Sequence, residues 1–180
     1  MRRIGLLLTV LGLAVLTAAL CLAGRNLAVE RRAGAASARI LSALSSPPQS
    51  TVEAPEDPEY FGQLSIPTLE LELPILSEWS GENLRIAPCR YSGSLEEENL
   101  VLIAHNYRTH FGPIRRLKPG DPVNLTLAEG MELHYQVTAS EVVSPAALVA
   151  VTSGSHSLTL ITCTYCGKTR LAVYCDPVCQ

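Results

Sequence analysis

The chain has 180 residues, which is enough for one folded domain with accessory segments. Its formal net charge is −3, with 14 basic and 17 acidic residues, so it lacks the basic excess that indicates nucleic-acid binding. Aromatic residues make up only 5% of the chain, and abundant Val, Leu, Ile and Thr favour β-strands.

The N-terminal segment has the composition of a membrane anchor. Met1-Arg2-Arg3 is a short basic head, and Ile4 to Ala23 is uncharged and almost wholly apolar, long enough to cross about 30 Å of hydrocarbon as a helix. The main alternative is a cleaved signal peptide, but its apolar region usually spans only about 7–15 residues. The large Leu20 before Cys21 argues against lipoprotein processing. We therefore expect a transmembrane signal anchor over residues 1–24.

A stalk and a linker separate the anchor from the folded domain. Arg25 to Leu44 is rich in Ala, Arg and Leu and can continue the anchor as a helix. Ser45 to Glu59 is rich in Pro, Ser and acidic residues, a composition that cannot build a core. We assign residues 25–59 to the stalk and linker and residues 60–180 to the folded domain.

The folded domain is predicted to be mainly β, because short apolar or alternating runs are separated by turn residues. Leu100 to Ala104 and Leu158 to Ile161 are typical of buried strands, and Val123 to Leu127 forms a predicted hairpin with Leu133 to Val137. Further strands are expected at 63–66, 69–73, 141–143 and 169–174, with single helical turns near 80–86 and 111–117. About eight strands without a long helical period predict a closed or nearly closed antiparallel barrel.

Two of the predicted buried strands end at reactive side chains. One leads to Cys163 and the other to His105. A cysteine thiol is only a few per cent thiolate at neutral pH, so a nucleophilic cysteine needs a base or a cation beside it. Of the four histidines, His105 is the first candidate because a buried strand places it rigidly. His110, in the turn that follows, is the second.

A guanidinium completes this group of reactive side chains. Arg170 follows the turn after Cys163 and enters the next predicted strand, which places the two side by side on antiparallel neighbours. Arginine stays charged and can donate to a developing oxyanion, and the loss of one such donor typically costs about 10²–10³ in rate. A thiol, an imidazole and a guanidinium together predict acyl transfer through a thioester.

The combined pattern resembles the sortases, the cysteine transpeptidases of Gram-positive bacteria. Their signature, Thr-Leu-x-Thr-Cys, matches Thr159 to Cys163, with Arg170 downstream and Ala104-His105-Asn106 upstream. The resemblance runs from about Phe61 to Val178. It implies an eight-stranded sortase-type β-barrel with short helices, preceded by an N-terminal transmembrane helix.

The resemblance also implies a two-step transpeptidation. Cys163 attacks the carbonyl after Thr in a Leu-Pro-x-Thr-Gly-like sorting signal, and His105 serves as acid for the leaving amine and then as base for the incoming amine. Arg170 holds the substrate backbone or the oxyanion, and Thr162 helps to shape the substrate pocket. The implied partners are secreted proteins with C-terminal sorting signals and an amine on a cell-wall precursor or pilin. The enzyme would be a single-pass membrane protein with an extracellular catalytic domain, and it would need neither a metal nor another cofactor.

The subclass of the resemblance is open. His105-Asn106 is similar to class B enzymes, but these carry a long insertion before the cysteine strand, and only a short loop is available here. A housekeeping-like or class D/E-like enzyme is therefore favoured. Asp57-Pro58-Glu59-Tyr60 comes close to the Asp-Pro-aromatic lid of pilin-polymerising sortases, although Glu59 intervenes.

The remaining cysteines leave two alternatives. Cys163-Thr164-Tyr165-Cys166 has the C-x-x-C spacing of thiol-disulfide oxidoreductases, although those motifs usually begin a helix in an α/β pattern that is missing here. A zinc site built from Cys163, Cys166, Cys175 and Cys179 is the second alternative, but a zinc ligand could not act as the nucleophile. An extracellular location permits disulfides, so Cys166 could silence Cys163 reversibly, or could pair with Cys89 or a C-terminal cysteine.

Overall fold

A long helix and eight strands account for most of the chain that is described. The computed structural model describes residues 2–44, 59–147, 151, 156–165 and 167–178. The helices and strands are α1 (Arg2–Leu44), β1 (Tyr60–Ile66), β2 (Leu71–Leu76), α2 (Asn83–Ile86), β3 (Cys89–Ser92), β4 (Leu100–Ala104), β5 (Pro122–Leu127), β6 (Glu132–Val143), β7 (Leu158–Cys163) and β8 (Arg170–Pro177). Short 3₁₀ helices lie at Pro67–Leu69, Gly112–Arg116 and Pro145–Ala147.

The strands close into a barrel in the order β1-β2-β3-β4-β7-β8-β6-β5. The predicted eight-stranded barrel is confirmed, but two of the strand pairs, β2–β3 and β4–β7, are parallel rather than antiparallel. Strand β3 was not predicted, because it is only four residues long and shares a single paired position with β2. The separate strand expected at residues 141–143 is instead the end of the 12-residue β6.

The parallel pairing of β4 with β7 determines where the carboxyl ends of these two strands lie. Their register runs from Leu100 opposite Leu158 to Ala104 opposite Thr162. Parallel strands bring their carboxyl ends to the same edge of a sheet. The residues that follow β4 and β7 therefore emerge together at one mouth of the barrel.

The barrel is filled by aliphatic side chains from its strands. Fully buried examples are Leu64, Ile66, Leu102, Leu125, Leu160 and Val173. A second, smaller cluster of Val101, Ile161 and Ala172 covers the outer face of β4, β7 and β8. Strands buried on both faces read as continuous apolar runs, which is why β4 and β7 do not alternate with polar residues.

Helix α1 has two differently packed parts. Its N-terminal part exposes large apolar side chains along its length, and by length and composition it is apolar enough to cross a membrane, a criterion that a signal sequence also meets. Further along, Ala33 and Ser37 are each only 3% exposed, and Ile40 packs on the cluster of Leu76, Ala87 and Cys89. The segment expected to be a stalk is therefore helical through Leu44, and one face of it lies against the barrel.

Candidate active site

The strand register brings the predicted reactive residues to one mouth of the barrel. Cys163 ends β7 and lies opposite Arg170, the first residue of β8. His105 directly follows Ala104, whose partner on β7 is Thr162. Continuing that register by one residue sets His105 beside Cys163. The spatial grouping expected from two strands that each end at a reactive side chain is therefore present in the backbone.

Cys163 is a partly exposed thiol in a small apolar pocket. The pocket has a volume of about 140 Å³, and its walls include Val142, Leu171, Thr162 and Tyr165. Its size and lining suit one short aliphatic substrate side chain next to the thiol. No disulfide involves Cys163 in the part of the chain that is described.

The other described barrel cysteines have the opposite surroundings. Cys89 and Cys175 are completely buried. Burial raises the pKa of the Cys89 thiol to about 11 and that of Cys175 to about 12. Thiols of this kind remain protonated and shielded from solvent, so neither competes with Cys163 as a nucleophile.

The Thr162 side chain joins strand β7 to strand β4. It is 3% exposed, and its hydroxyl donates a hydrogen bond of 2.9 Å to the Ala104 carbonyl oxygen. The bond joins β7 to β4 at the positions just before Cys163 and His105. Thr162 is one of the residues that line the pocket, and its hydroxyl binds the protein backbone between the two strands.

His105 is partly buried, and its surroundings favour the neutral imidazole. Its ring stacks on Tyr107 with a centroid distance of 4.7 Å and an interplanar angle of 30°. Burial, and secondly the positive charge of Arg85, lower the pKa of His105. A neutral imidazole at this position can accept a proton from a neighbouring thiol.

Arg170 is held by the turn that separates β7 from β8. Its Nη1 donates to the carbonyl oxygens of Gly167 at 3.0 Å and Thr169 at 3.1 Å. Thr164 closes the same turn, because its amide donates to the Thr169 carbonyl at 3.1 Å. Within the described residues, no hydrogen bond joins the side chains of Cys163, His105 and Arg170 to one another. Because a guanidinium has five N–H donors, the remaining ones stay free for a substrate oxygen.

His110, the second candidate base, has a structural role. It is fully buried, and burial together with the charge of His105 lowers its pKa to about 4, against the raising effect of the Ala33 and Ile86 backbone. Its Nε2 lies 3.2 Å from the Ser37 hydroxyl, and that hydroxyl donates to the Ile86 carbonyl at 2.7 Å. Since the single hydroxyl proton goes to Ile86, His110 Nε2 is the donor to Ser37. The expectation that His110 could serve as the base is not supported, because this ring binds helix α1.

Helix α1 makes two more contacts with the loop that follows His105. The Glu30 carboxylate accepts a hydrogen bond from the Arg108 amide, and the Glu30 carbonyl accepts one from the Thr109 hydroxyl at 3.3 Å. Gly34 allows the close approach, since a Cβ at that position would lie 2.8 Å from Thr109 Cγ2. Helix α1 therefore packs against one side of the loop that follows the candidate base.

The packing of α1 against this loop was not predicted from the sequence. Its inward positions, Glu30, Ala33, Gly34, Ser37 and Ile40, recur at helical spacing. The signal was weak because four of these five side chains are small or polar, and the stalk looked like an ordinary Ala-rich helix. Small residues at helical spacing are the one feature that could have indicated a closely packed face.

The separation of two cysteines rules out the alternative zinc site. Cys163 lies opposite Arg170, whereas Cys175 lies opposite Leu158, five residues away along β7. At about 3.3 Å per residue, the two cysteines are about 17 Å apart, and two ligands of one zinc each lie about 2.3 Å from the metal. Cys166 and Cys179 lie outside the described residues, as do Asp57 and Pro58 of the sequence compared with a lid.

The surroundings of Cys163 also differ from those of redox C-x-x-C motifs. Such motifs lie at the N-terminus of a helix, whose dipole stabilises the thiolate. Cys163 instead ends a strand, and the chain enters a turn at Tyr165 before β8 begins at Arg170. The local structure is therefore that of a tight β–β connection.

Comparison with known proteins identifies relatives of the folded domain. The family model described as the sortase domain matches residues 64–178. Sortase A of Bacillus anthracis is 33% identical over 111 residues, a match covering 58% of this chain and 52% of that protein. The chain thus spans about half the length of this curated relative.

Solved structures share the barrel. Sortase C from Clostridium perfringens SM101 is 26% identical with a TM-score of 0.58, over 69% of this chain and 73% of that one. Clostridium perfringens sortase C with the C-terminal cell wall sorting motif is 25% identical with a TM-score of 0.60, over 69% and 74%. Sortase A from Corynebacterium diphtheriae is 21% identical with a TM-score of 0.59, over 85% and 86%, a likeness of fold alone.

Proposed function

The chain belongs to the sortase family, and we propose that it is a membrane-anchored cysteine transpeptidase acting on C-terminal sorting signals. The observation that carries the proposal is the strand register, which brings His105 and Arg170 to either side of Cys163. The partly exposed thiol lies in an apolar pocket at the mouth of the barrel, whereas Cys89 and Cys175 are buried with raised pKa values.

In the first step, Cys163 attacks the carbonyl carbon after Thr in a Leu-Pro-x-Thr-Gly-like signal. Neutral His105 accepts the thiol proton as the C–S bond forms, and it then donates this proton to the leaving Gly amine as the C–N bond breaks. The lowered pKa of His105 suits this order, because an imidazole that is neutral at rest must acquire its proton from the nucleophile. Arg170 donates to the oxygen that becomes negatively charged.

In the second step, an amine attacks the thioester carbonyl. A new C–N bond forms, the C–S bond breaks, and the proton lost by the amine returns to the Cys163 sulfur through His105. The amine is proposed to be on a cell-wall precursor or a pilin. The apolar part of α1 would anchor the enzyme, with the barrel on the extracellular side where secreted substrates are found.

Intact-mass spectrometry of the full chain in detergent tests the proposal. The reduced protein would be mixed with a pooled library of Leu-Pro-x-Thr-Gly-like peptides, with and without triglycinamide as the amine. We expect a covalent adduct on the native protein and on Cys21→Ala, a control that removes an exposed thiol of α1, but not on Cys163→Ala. Arg170→Lys keeps the charge but loses the guanidinium fork, and we expect about 10²-fold slower adduct formation.

Two outcomes would contradict the proposal. The first is an adduct that persists in Cys163→Ala, which would place the nucleophile elsewhere. The second is the absence of an adduct with every peptide, combined with oxidation of a dithiol substrate. That result would favour the oxidoreductase alternative built on Cys163 and Cys166.

A further inference from the structure

The orientation of the His105 imidazole is not set by a hydrogen bond in the part of the chain that is described. The other three histidine rings each lie within hydrogen-bond distance of a side chain: His110 near Ser37, His134 near Asn124 and His156 near Asp176. A catalytic imidazole is usually held by a carboxylate or a carbonyl at its second nitrogen. The terminal torsion of a histidine is broad, so the backbone alone does not fix the plane of the ring. Another contact must therefore orient His105.

The Tyr107 ring supplies an aromatic contact instead. Its centroid is 4.7 Å from that of the His105 ring, and the two ring planes differ by 30°. Stacked ring pairs at such distances are favourable beyond the area they bury. Turning the imidazole about its terminal torsion would move its face away from the phenol ring and bring an edge toward it. The stack therefore restricts the plane in which His105 presents its nitrogens.

The main chain holds Tyr107 firmly beside His105. The Tyr107 carbonyl oxygen accepts hydrogen bonds from the amides of His110 at 3.0 Å and Gly112 at 2.8 Å. The His105 carbonyl oxygen accepts one from the amide of Phe111 at 3.1 Å, and the Phe111 side chain is fully buried. Gly112 is needed for this close approach, because a Cβ there would lie 2.6 Å from the Tyr107 oxygen. The two stacked rings therefore project from one loop that is closed by its own backbone.

Tyr107 is placed to act through His105 rather than on the substrate. It is not among the residues that line the Cys163 pocket, although its neighbour Asn106 is. A change of the Tyr107 side chain should therefore leave substrate binding nearly unaltered. Its effect should appear in the step in which His105 exchanges a proton with the thiol.

The stack also favours His105 in its protonated form. When His105 accepts the proton of Cys163, the imidazolium carries its positive charge against an aromatic ring 4.7 Å away, within the distance of about 6 Å at which cation–π attraction acts. Burial, and secondly the charge of Arg85, oppose this protonation and lower the pKa of His105. An attraction that grows as the proton is transferred stabilises the transition state more than the resting state, and such interactions raise kcat.

We propose that Tyr107 is a positioning residue for His105, which fixes the plane of the imidazole and stabilises the imidazolium during acyl transfer. The inference rests on the proposed function for the role of His105, but the contact itself can be tested without turnover. The surrounding elements place other charged and titratable groups near His105. These are Glu30 on α1, Arg85 on α2, Arg108 and His110 in the same loop, Cys163 at the end of β7 and Arg170 at the start of β8.

Steady-state kinetics of the full chain in detergent, with a reactive peptide and triglycinamide, is the first test. We expect Tyr107→Leu, which removes the aromatic face, to lower kcat about tenfold while KM stays within about twofold. Tyr107→Phe keeps the ring and should recover at least about half of the native kcat. Tyr91→Leu is the matched control, because Tyr91 contacts another ring, that of Trp79, on the barrel surface, and its kcat should not change. A rise in KM alone, or a Tyr107→Phe enzyme as slow as Tyr107→Leu, would overturn the proposal.

Titration of the histidine rings by NMR is the second test and needs no turnover. The protein would be full-length Cys163→Ala with labelled histidine, and His105→Gln would identify the resonance. Loss of the aromatic face should lower the pKa of His105 in Tyr107→Leu by about 0.4–1 unit, and the acidic limb of kcat/KM in the enzyme with Cys163 should move to lower pH. If Tyr107 only filled space, its removal would admit water, relieve the burial and raise this pKa. A pKa that rises or stays the same would therefore contradict the proposal.

A variant of unchanged shape covers the case in which Tyr107→Leu does not fold. Tyr107→trifluorophenylalanine keeps a ring of nearly the same size but withdraws electrons from its face, which weakens the attraction for a cation. We expect a lower kcat and a lower pKa of His105 than in Tyr107→Phe, and equal values would refute the stabilising role. An adduct that persists in Cys163→Ala would refute the proposed function, whereas the NMR titration would still decide whether Tyr107 stabilises the His105 imidazolium.

Discussion

Gly34→Ala is a direct test of the contact between α1 and the loop after His105. A Cβ at this position would lie 2.8 Å from Thr109 Cγ2 and 3.0 Å from Thr109 Cβ. Carbon atoms in favourable contact are about 3.5–4.0 Å apart, so the overlap is about 0.7 Å. Because one contact is with Cβ rather than a side-chain end, rotation of the Thr109 side chain cannot relieve it, and the helix or the loop must move.

Two opposing effects set the magnitude. Alanine is favoured over glycine in a helix interior by about 1 kcal/mol. Overpacking of a closely fitted site typically costs about 1–3 kcal/mol. We expect the second effect to dominate, with a net loss of about 1 kcal/mol and a Tm lowered by about 3–5 °C for a domain of this size. A loop shift of a few tenths of an ångström should lower kcat by less than the roughly 10²-fold expected of a 1 Å misplacement.

Thermal unfolding of the full chain in detergent, together with the rate of thioester formation, is the assay. Gly24→Ala is the control, because it makes the same change in the same helix with no atom within 4 Å of the added carbon. Adding Thr109→Ser to Gly34→Ala removes Cγ2 but keeps the hydroxyl that donates to Glu30, and should restore at least half of the lost stability. If Gly34→Ala instead raises Tm, as helix propensity alone requires, the helix does not pack on this loop.

Two predictions concern pH. Arg85→Gln removes a positive charge that adds to burial in lowering the pKa of His105, so the imidazole becomes protonated at a higher pH. The acidic limb of the pH profile of kcat/KM should then shift to higher pH by about 0.3–1 unit, and about 0.5 M salt should reduce that shift. An acidic limb at the same pH in both proteins would exclude this charge effect. At Asp176, burial raises the pKa, but hydrogen bonds from His156, Ser157 and Thr138 outweigh it and lower the pKa overall. This stabilisation is complete above the unfolded pKa of about 3.9 and is lost as pH falls through the lower folded pKa. Denaturant unfolding of Asp176→Asn should lack that acid dependence, whereas an unaltered pH profile would assign it to other groups.

The strands predicted most accurately from the sequence are those that are buried on both faces. Strands β4 and β7 are buried on both faces, and their continuous apolar runs gave β4 with its observed bounds and placed most of β7. Strand β3 was missed because its four residues include Arg90 and Tyr91, which are exposed, and it has a single partner position on β2. Its position depends on tertiary contacts of Cys89 that the local pattern does not carry.

The candidate site could likewise be predicted only in part. The positions of three candidate residues at strand ends could be predicted, because Cys163 ends β7, His105 directly follows β4 and Arg170 begins β8. The Thr-Leu-x-Thr-Cys motif added the family resemblance that is now confirmed. The parallel pairing of β4 with β7 was not predicted, since it depends on the β5–β6 hairpin lying on the other side of the barrel. The full burial of His110, which argues against it as the base, could not be predicted, because it involves contacts with α1.

The turns of α1 that pack on the barrel form part of the surroundings of His105. Ser37 supplies the acceptor for His110 Nε2 and the donor for the Ile86 carbonyl; the His110 ring is fully buried and Ile86 is partly buried. Without the helix, those two polar groups would be left without these partners, at a cost of about 1–3 kcal/mol for each that stays buried. The ring of Tyr107 contacts both histidine rings, with centroid distances of 4.7 Å to His105 and 5.4 Å to His110. The candidate base therefore contacts a ring that also contacts His110, and His110 is hydrogen-bonded to α1. These contacts couple the position of the helix to that of the His105 imidazole.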